Sequence, residues 1–101
     1  MNTANQSLKP VTTKINDKNH LEIGGCDLVD LAEKYGTPLY VYDEKTIRTI
    51  AKQYKEAFSA YPKVSMLYAS KAFMTKAVVR ILDEEGFGFD MVSGGEIYTA
   101  Y

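Results

Sequence analysis

The chain has 101 residues, of which 46% are hydrophobic, and its 12 Lys and Arg residues against 13 Asp and Glu residues give a net charge of -1. This composition is that of one small globular domain, and the balanced charge gives no basis for binding nucleic acid or an anionic membrane. Cys26 is the single cysteine, which excludes an internal disulfide, leaves no metal cluster with His20, and predicts a reducing, cytoplasmic environment.

The first predicted segment is a flexible polar leader, residues 1–20, which has neither regular periodicity nor the apolar core of a signal peptide. Residues 21–36 follow as a short strand and a short helix. Alternation in Leu21–Ile23 indicates the strand, and apolar residues at helical spacing after Asp27 indicate the helix. Gly36 is placed to end this helix, and no later segment has the length and hydropathy of a membrane span.

Residues 37–101 alternate between predicted strands and helices. Runs of β-forming residues predict three strands, Pro38–Tyr42, Val64–Ser70 and Phe87–Val92. Apolar residues at intervals of three and four predict two helices, Glu44–Tyr61 and Met74–Leu82. Asp43 is placed as the N-cap of the first helix, and Gly86 as the left-handed cap residue after the second. Ser93–Glu96 matches a capping box that opens a last helix.

This regular repeat of strand and helix predicts an α/β fold with parallel strands. Eight such units would form a (β/α)8 barrel of about 250 residues. Three parallel strands by themselves would leave the edges of the sheet exposed and its faces half covered. Residues 37–101 are therefore expected to be the incomplete beginning of such a barrel.

Two polar residues at predicted strand ends are candidates for chemistry, because the active sites of parallel α/β proteins lie at the carboxyl ends of the strands. Lys71 follows the second strand, and Asp90 lies near the end of the third. If these strands are neighbours, about 4.8 Å apart, both side chains can meet at one edge. A lysine amine condenses with an aldehyde when its surroundings lower its pKa enough to populate the neutral form. A carboxylate favours the ammonium form instead, so Asp90 is not credited with activating Lys71.

The same residues also have structural interpretations. Lys71 fits an ordinary lysine at a strand end whose ammonium group reaches solvent, and Asp90 fits a turn or salt-bridge residue. Ser93 and Glu96 are explained by a capping box that satisfies free N–H groups of a helix. A dinucleotide-binding loop is rejected, because the glycines of Gly86–Gly88 precede a strand instead of joining a strand to a helix.

Three motifs occur in order along the chain: TPLYVYDE at 37–44, YASKAF at 68–73 and GFGFDMVSGGEIYTA at 86–100. Together they resemble the diaminopimelate decarboxylase family, of fold type III, related to alanine racemase and eukaryotic ornithine decarboxylase. The resemblance implies a cofactor-binding (β/α)8 barrel whose preceding strand joins a carboxy-terminal β domain. It also implies that Lys71 is the catalytic lysine that carries pyridoxal 5'-phosphate, and that Asp90 and Glu96 lie close to this lysine and the cofactor.

The resemblance further implies an activity for the complete protein, the decarboxylation of the amino acid meso-2,6-diaminopimelate to L-lysine by a homodimer. The phosphate-binding loop, the partner of the pyridine nitrogen and the dimer interface are expected downstream of Tyr101, so the chain alone is expected to be inactive. Phe73 stands where many members of the wider superfamily have asparagine, which favours this branch. Ornithine, arginine and carboxyspermidine decarboxylases remain alternatives, as does a noncatalytic binding or regulatory fragment.

Overall fold

Short strands and helices follow one another along residues 7–101, which are described by a computed structural model. In chain order they are β1 (Lys14–Ile15), β2 (Leu21–Ile23), β3 (Cys26–Asp27), α1 (Leu28–Tyr35), α2 (Glu44–Ala57), β4 (Leu67–Ala69), α3 (Lys76–Glu84), β5 (Gly88–Asp90) and α4 (Gly94–Ala100). The chain divides into two units, Met1–Thr46 and Ile47–Tyr101, each with its own sheet. The predicted α/β class is confirmed.

The first unit contains an antiparallel sheet with strand order β1-β2-β3, against which α1 packs through β2 and β3. β2 and α1 agree with the prediction, whereas β1 lies within the predicted flexible leader. Its pairing with β2 includes an ion pair of 3.1 Å between Lys14 Nζ and Glu22 Oε1. A two-residue strand held by such pairing has no periodicity that the sequence could reveal. Residues 1–6 of the predicted leader lie outside the described residues.

Asp27 joins this sheet to α1. Its Oδ1 accepts the backbone N–H of Val29 at 2.8 Å, which makes Asp27 the N-cap of the helix. Its Oδ2 accepts a hydrogen bond of 2.8 Å from the Asn16 side-chain amide and lies 2.9 Å from His20 Nδ1. Partial burial raises the pKa of Asp27, but these hydrogen bonds stabilise the carboxylate more strongly and lower the pKa to about 2. The ionised carboxylate thus connects the start of α1 to the turn between β1 and β2, which contains Asn16 and His20.

A second acidic residue, Asp43, holds the segment around Thr12. Asp43 Oδ2 accepts the N–H of Thr46 at 3.2 Å, which confirms the predicted N-cap of α2, and it accepts the Thr12 hydroxyl at 2.9 Å. Thr12 Oγ1 in turn accepts the N–H of Gly24 at 2.8 Å. Burial raises the pKa of Asp43, but the hydrogen bonds from the two threonines and the backbone outweigh this effect and lower it. Thr12 therefore has specific partners, which the prediction of a leader missed.

The predicted strand at Pro38–Tyr42 is wrong: this segment of the described chain is not assigned to any strand. Its side chains are largely in contact with solvent, and Tyr40 is 87% exposed. Strand propensity mostly reflects packing on a pleated, half-buried surface, and a strand also needs a neighbour for its N–H and C=O groups. In residues 7–101, β4 pairs with β5 alone. The composition of the segment predicted a strand, but no strand of the described chain pairs with this segment.

The second unit packs helices against one face of a parallel sheet formed by β4 and β5. The buried apolar residues of this core are Ala51 on α2 together with Val78 and Leu82 on α3. Tyr68 and Phe89 pack against them from the sheet. The predicted parallel orientation of the two strands is therefore confirmed, and the condition that they are neighbours is met.

α2, β4 and β5 are shorter than predicted, whereas α3, Lys76–Glu84, has the predicted length but begins and ends two residues later. α2 ends at Ala57, because the N–H groups of Ser59 and Tyr61 donate to carbonyl groups only three residues earlier, as in turns. β4 and β5 extend only over the residues that pair, Leu67–Ala69 with Gly88–Asp90. Strand length here is set by the overlap of two partners, which composition alone does not determine.

The junction between α3 and β5 depends on Gly86 and Arg48. Gly86 has φ +83°, the left-handed conformation predicted for this cap residue, and its N–H donates to the carbonyl oxygen of Asp83 at 2.9 Å. Arg48 on α2 donates to Glu84 at 2.6 Å and to Glu85 at 3.0 Å. Acidic side chains are unfavourable at the carboxyl end of a helix, where the dipole is negative. Arg48 compensates for this charge.

Within the described part of the chain, no helix is both long enough and apolar enough to cross a membrane. The same residues contain no group of three or more His, Cys, Asp or Glu side chains placed to hold a metal ion.

Candidate active site

The sheet formed by β4 and β5 has two different faces, because side chains alternate along a strand. Tyr68 and Phe89 are paired in register and point to the helices, with their rings edge to face and 6.4 Å apart. The opposite face, which we call the open face, carries the other strand residues: Leu67, Ala69, Gly88 and Asp90. Leu67 is 64% exposed on this face. Residues of the open face are thus accessible to a ligand.

Lys71 lies just beyond the carboxyl end of β4, as predicted, and its side chain is exposed. It lies in the turn of residues 69–72, where the strand alternation of β4 has ended. Two backbone hydrogen bonds of 3.1 Å fix the chain on either side of it, from Ser70 N–H to the Asp90 carbonyl and from Ala72 N–H to the Ala69 carbonyl. The lysine therefore starts from a defined backbone position at the edge of the sheet.

Asp90 is the last residue of β5 and is paired with Ala69 on the open face. Lys71 lies two residues after Ala69, in the turn that follows β4. The structure thus brings the two predicted site residues to the same edge. It does not join them in an ion pair among residues 7–101.

Glu96 lies in the first turn of α4 and forms the predicted capping box with Ser93. Its Oε2 accepts the backbone N–H groups of Val92 at 2.6 Å and Ser93 at 3.1 Å, while Ser93 Oγ accepts the Glu96 N–H at 3.2 Å. Both backbone contacts use the same carboxylate oxygen. Within residues 7–101 these capping contacts do not use the other oxygen, Oε1, so the structural and the functional interpretations of Glu96 are compatible.

Sequence analysis missed two side chains close to Lys71. The Tyr68 hydroxyl donates a hydrogen bond of 2.6 Å to the carbonyl oxygen of Phe73. Ser70 is only 2% exposed, and within residues 7–101 its Oγ has no hydrogen-bond partner. Periodicity predicts which of these residues face the core, but it carries no signal for a hydroxyl contact to an irregular loop.

Residues 47–101 match the family model described as pyridoxal-dependent decarboxylase, pyridoxal binding domain. The matched range contains Lys71, Asp90 and Glu96 together with the sheet and helices that position them. The chain belongs to the pyridoxal-dependent decarboxylase family. The family is pyridoxal-dependent, which confirms the prediction of a pyridoxal phosphate cofactor.

Curated relatives are diaminopimelate decarboxylases, which confirms the resemblance predicted from the motifs. The chain is 56% identical over 90 residues to the protein of Bacillus methanolicus, 53% over 97 residues to that of Synechocystis sp., and 57% over 90 residues to that of Bacillus subtilis. These matches cover 88%, 94% and 88% of this chain but 21%, 21% and 20% of the relatives. The chain thus spans about a fifth of the length of these relatives.

The polar side chains at this edge of the sheet fit a pyridoxal cofactor, whose aldehyde reacts with a primary amine. Lys71 provides an exposed amine at the carboxyl end of a parallel strand. Asp90 is also exposed, and Glu96 has a carboxylate oxygen outside its capping contacts. These groups can accept hydrogen bonds from the polar groups of a cofactor held by the lysine.

Replacement of Ser93 by alanine in the complete protein is expected to lower the free energy of unfolding by about 1 kcal/mol, because one N–H group of α4 loses its cap. Cofactor loading is expected to persist, since Glu96 Oε2 still accepts the N–H groups of Val92 and residue 93. Urea unfolding and cofactor absorbance measure the two effects separately. Unchanged stability with severely reduced turnover would instead show that the Ser93 hydroxyl takes part in the chemistry.

Proposed function

We propose that the complete protein decarboxylates meso-2,6-diaminopimelate to L-lysine and carbon dioxide, with pyridoxal 5'-phosphate held by Lys71. The observation that supports this most directly is the exposed lysine at the carboxyl end of β4, inside the matched pyridoxal-binding domain. The names of the relatives support the choice of substrate. Ornithine, arginine and carboxyspermidine are the competing substrates.

In this proposal each of the three site residues has a separate task. The bound cofactor accepts the electron pair that is released when carbon dioxide leaves. Lys71 would hold the cofactor through its amine, and its Nζ would carry a proton to or from the substrate once that amine is released. Asp90, which ends β5 at the same edge of the sheet, would accept a hydrogen bond from a polar group of the cofactor. Glu96 accepts a hydrogen bond from the cofactor through Oε1 while Oε2 fixes the start of α4.

We further propose that the complete protein is a cytoplasmic homodimer in which residues 37–101 begin a (β/α)8 barrel and the preceding strand joins a carboxy-terminal β domain. The parallel pairing of β4 and β5 with helices on one face supports the barrel. The exposure of Leu67 on the open face and of Lys71 in the turn beyond β4 indicates that this chain alone does not enclose a site. The isolated chain is accordingly proposed to be inactive.

A competition assay on the complete protein tests the proposed substrate. Meso-diaminopimelate, ornithine, arginine and carboxyspermidine are offered separately, and kcat/KM is obtained from the release of carbon dioxide. We expect meso-diaminopimelate to be preferred by more than tenfold, which corresponds to about 1.4 kcal/mol in transition-state stabilisation. A tenfold preference for any of the other three would refute the substrate, whereas the assignment of Lys71 would stand.

A further inference from the structure

We propose that Tyr68 is a positioning residue for Lys71, and that its hydroxyl group fixes the loop that carries the lysine. This loop, residues 70–75, connects β4 to α3 and is called the lysine loop here. The inference rests on the proposed function, because it assigns a role to a neighbour of the proposed cofactor lysine.

The lysine loop is held at both ends and in its middle. At its start, Ala72 N–H donates to the carbonyl of Ala69 at 3.1 Å. At its end, Thr75 is the N-cap of α3 and its Oγ1 accepts a backbone N–H of the helix. Between these points, the Tyr68 hydroxyl donates to the Phe73 carbonyl at 2.6 Å, the shortest of these contacts. This hydrogen bond fixes the position of the Phe73 backbone, two residues after Lys71.

Tyr68 acts on Lys71 from the helix side of the sheet. Its ring packs on that side, edge to face with Phe89, whereas Lys71 lies in the exposed turn beyond the carboxyl end of β4. Tyr68 therefore does not contact a cofactor on the open face and can influence the lysine only through the loop backbone. A partly buried tyrosine hydroxyl needs a hydrogen-bond partner, and the Phe73 carbonyl in this irregular segment supplies it.

Loss of this bond is expected to let the lysine loop move without removing any group that touches the cofactor. The Lys71 amine would then spend less time at the position where it can react with an aldehyde, and small displacements of reacting groups have large effects on rate and retention. The same change leaves the ring of residue 68 against the core. The positional effect can therefore be separated from an effect on packing.

The test is Tyr68→Phe in the complete protein. In the cofactor-free protein we expect faster hydrogen exchange of the amides of residues 72–75. In the loaded protein we expect the dissociation constant of pyridoxal phosphate to rise about 3- to 10-fold, the range that loss of one hydrogen bond produces. Borohydride reduction followed by peptide mapping reports how much cofactor remains on Lys71.

Two control variants distinguish positioning from stability. Tyr61→Phe deletes the same hydroxyl from a ring that is 64% exposed, and it should change neither readout. Phe89→Leu weakens the ring contact with Tyr68 but keeps the hydroxyl, so it should lower stability while leaving cofactor retention unchanged.

Wild-type exchange and retention in Tyr68→Phe would overturn the inference, and so would an equal loss of retention in Phe89→Leu. If the wild-type protein takes no label on Lys71, the proposed function fails instead. The exchange measurement on the cofactor-free protein would still show whether Tyr68 holds the lysine loop.

Discussion

Replacement of Lys71 by arginine in the complete protein is expected to abolish the covalent attachment of pyridoxal phosphate. Arginine keeps the positive charge at the end of β4, but its guanidinium group stays protonated and does not condense with an aldehyde. Since the lysine is also proposed to move a proton, turnover is expected to fall about 10²- to 10⁴-fold or more. Borohydride reduction with peptide mapping measures attachment, and release of carbon dioxide measures turnover.

The matched control for this experiment is Lys63→Arg, which makes the same chemical change at an exposed position between α2 and β4. This variant is expected to bind the cofactor and turn over substrate like the wild type. A phosphopyridoxyl label that stays on another lysine in Lys71→Arg, with turnover retained, would show that the cofactor lysine has been misassigned.

Replacement of Leu82 by alanine is expected to cause the largest loss of stability in the second unit, about 2–5 kcal/mol in the free energy of unfolding. Leu82 is 5% exposed and lies with Ala51 and Val78 in the buried core that supports the sheet. The cost combines the lost burial of the side chain with the cavity that remains. Urea unfolding of the complete protein, with the absorbance of the bound cofactor as a second signal, measures it.

Ile50→Ala provides a control with the same number of carbon atoms removed, because Leu and Ile are isomers. Ile50 lies on α2 and is 46% exposed, so its truncation should cost less than half as much. Equal losses for the two variants would mean that the core of this unit does not centre on Leu82, and that the packing beneath β4 and β5 is different from that described.

The sequence predicted best those features that depend on residues within four positions of one another. Asp27 and Gly36 border α1 as expected, and Ser93 and Glu96 form the expected capping box. Caps satisfy the free N–H and C=O groups of a helix with neighbours along the chain, so their pattern is visible in the sequence. The position of Lys71 after β4 was predictable for a related reason, because the strand before it and its motif are both local.

Only the tertiary structure decided which segments find a partner. PLYVY at 38–42 has the composition of a strand but forms none in the described chain, whereas Lys14–Ile15 has no strand pattern and pairs with β2. Thr12 binds Asp43 across 31 positions of the chain, and the lengths of β4 and β5 follow from their mutual register. The physical reason is that backbone and side-chain groups form hydrogen bonds with whichever partner the folded chain brings near. The sequence of one segment does not reveal which other segment will lie beside it.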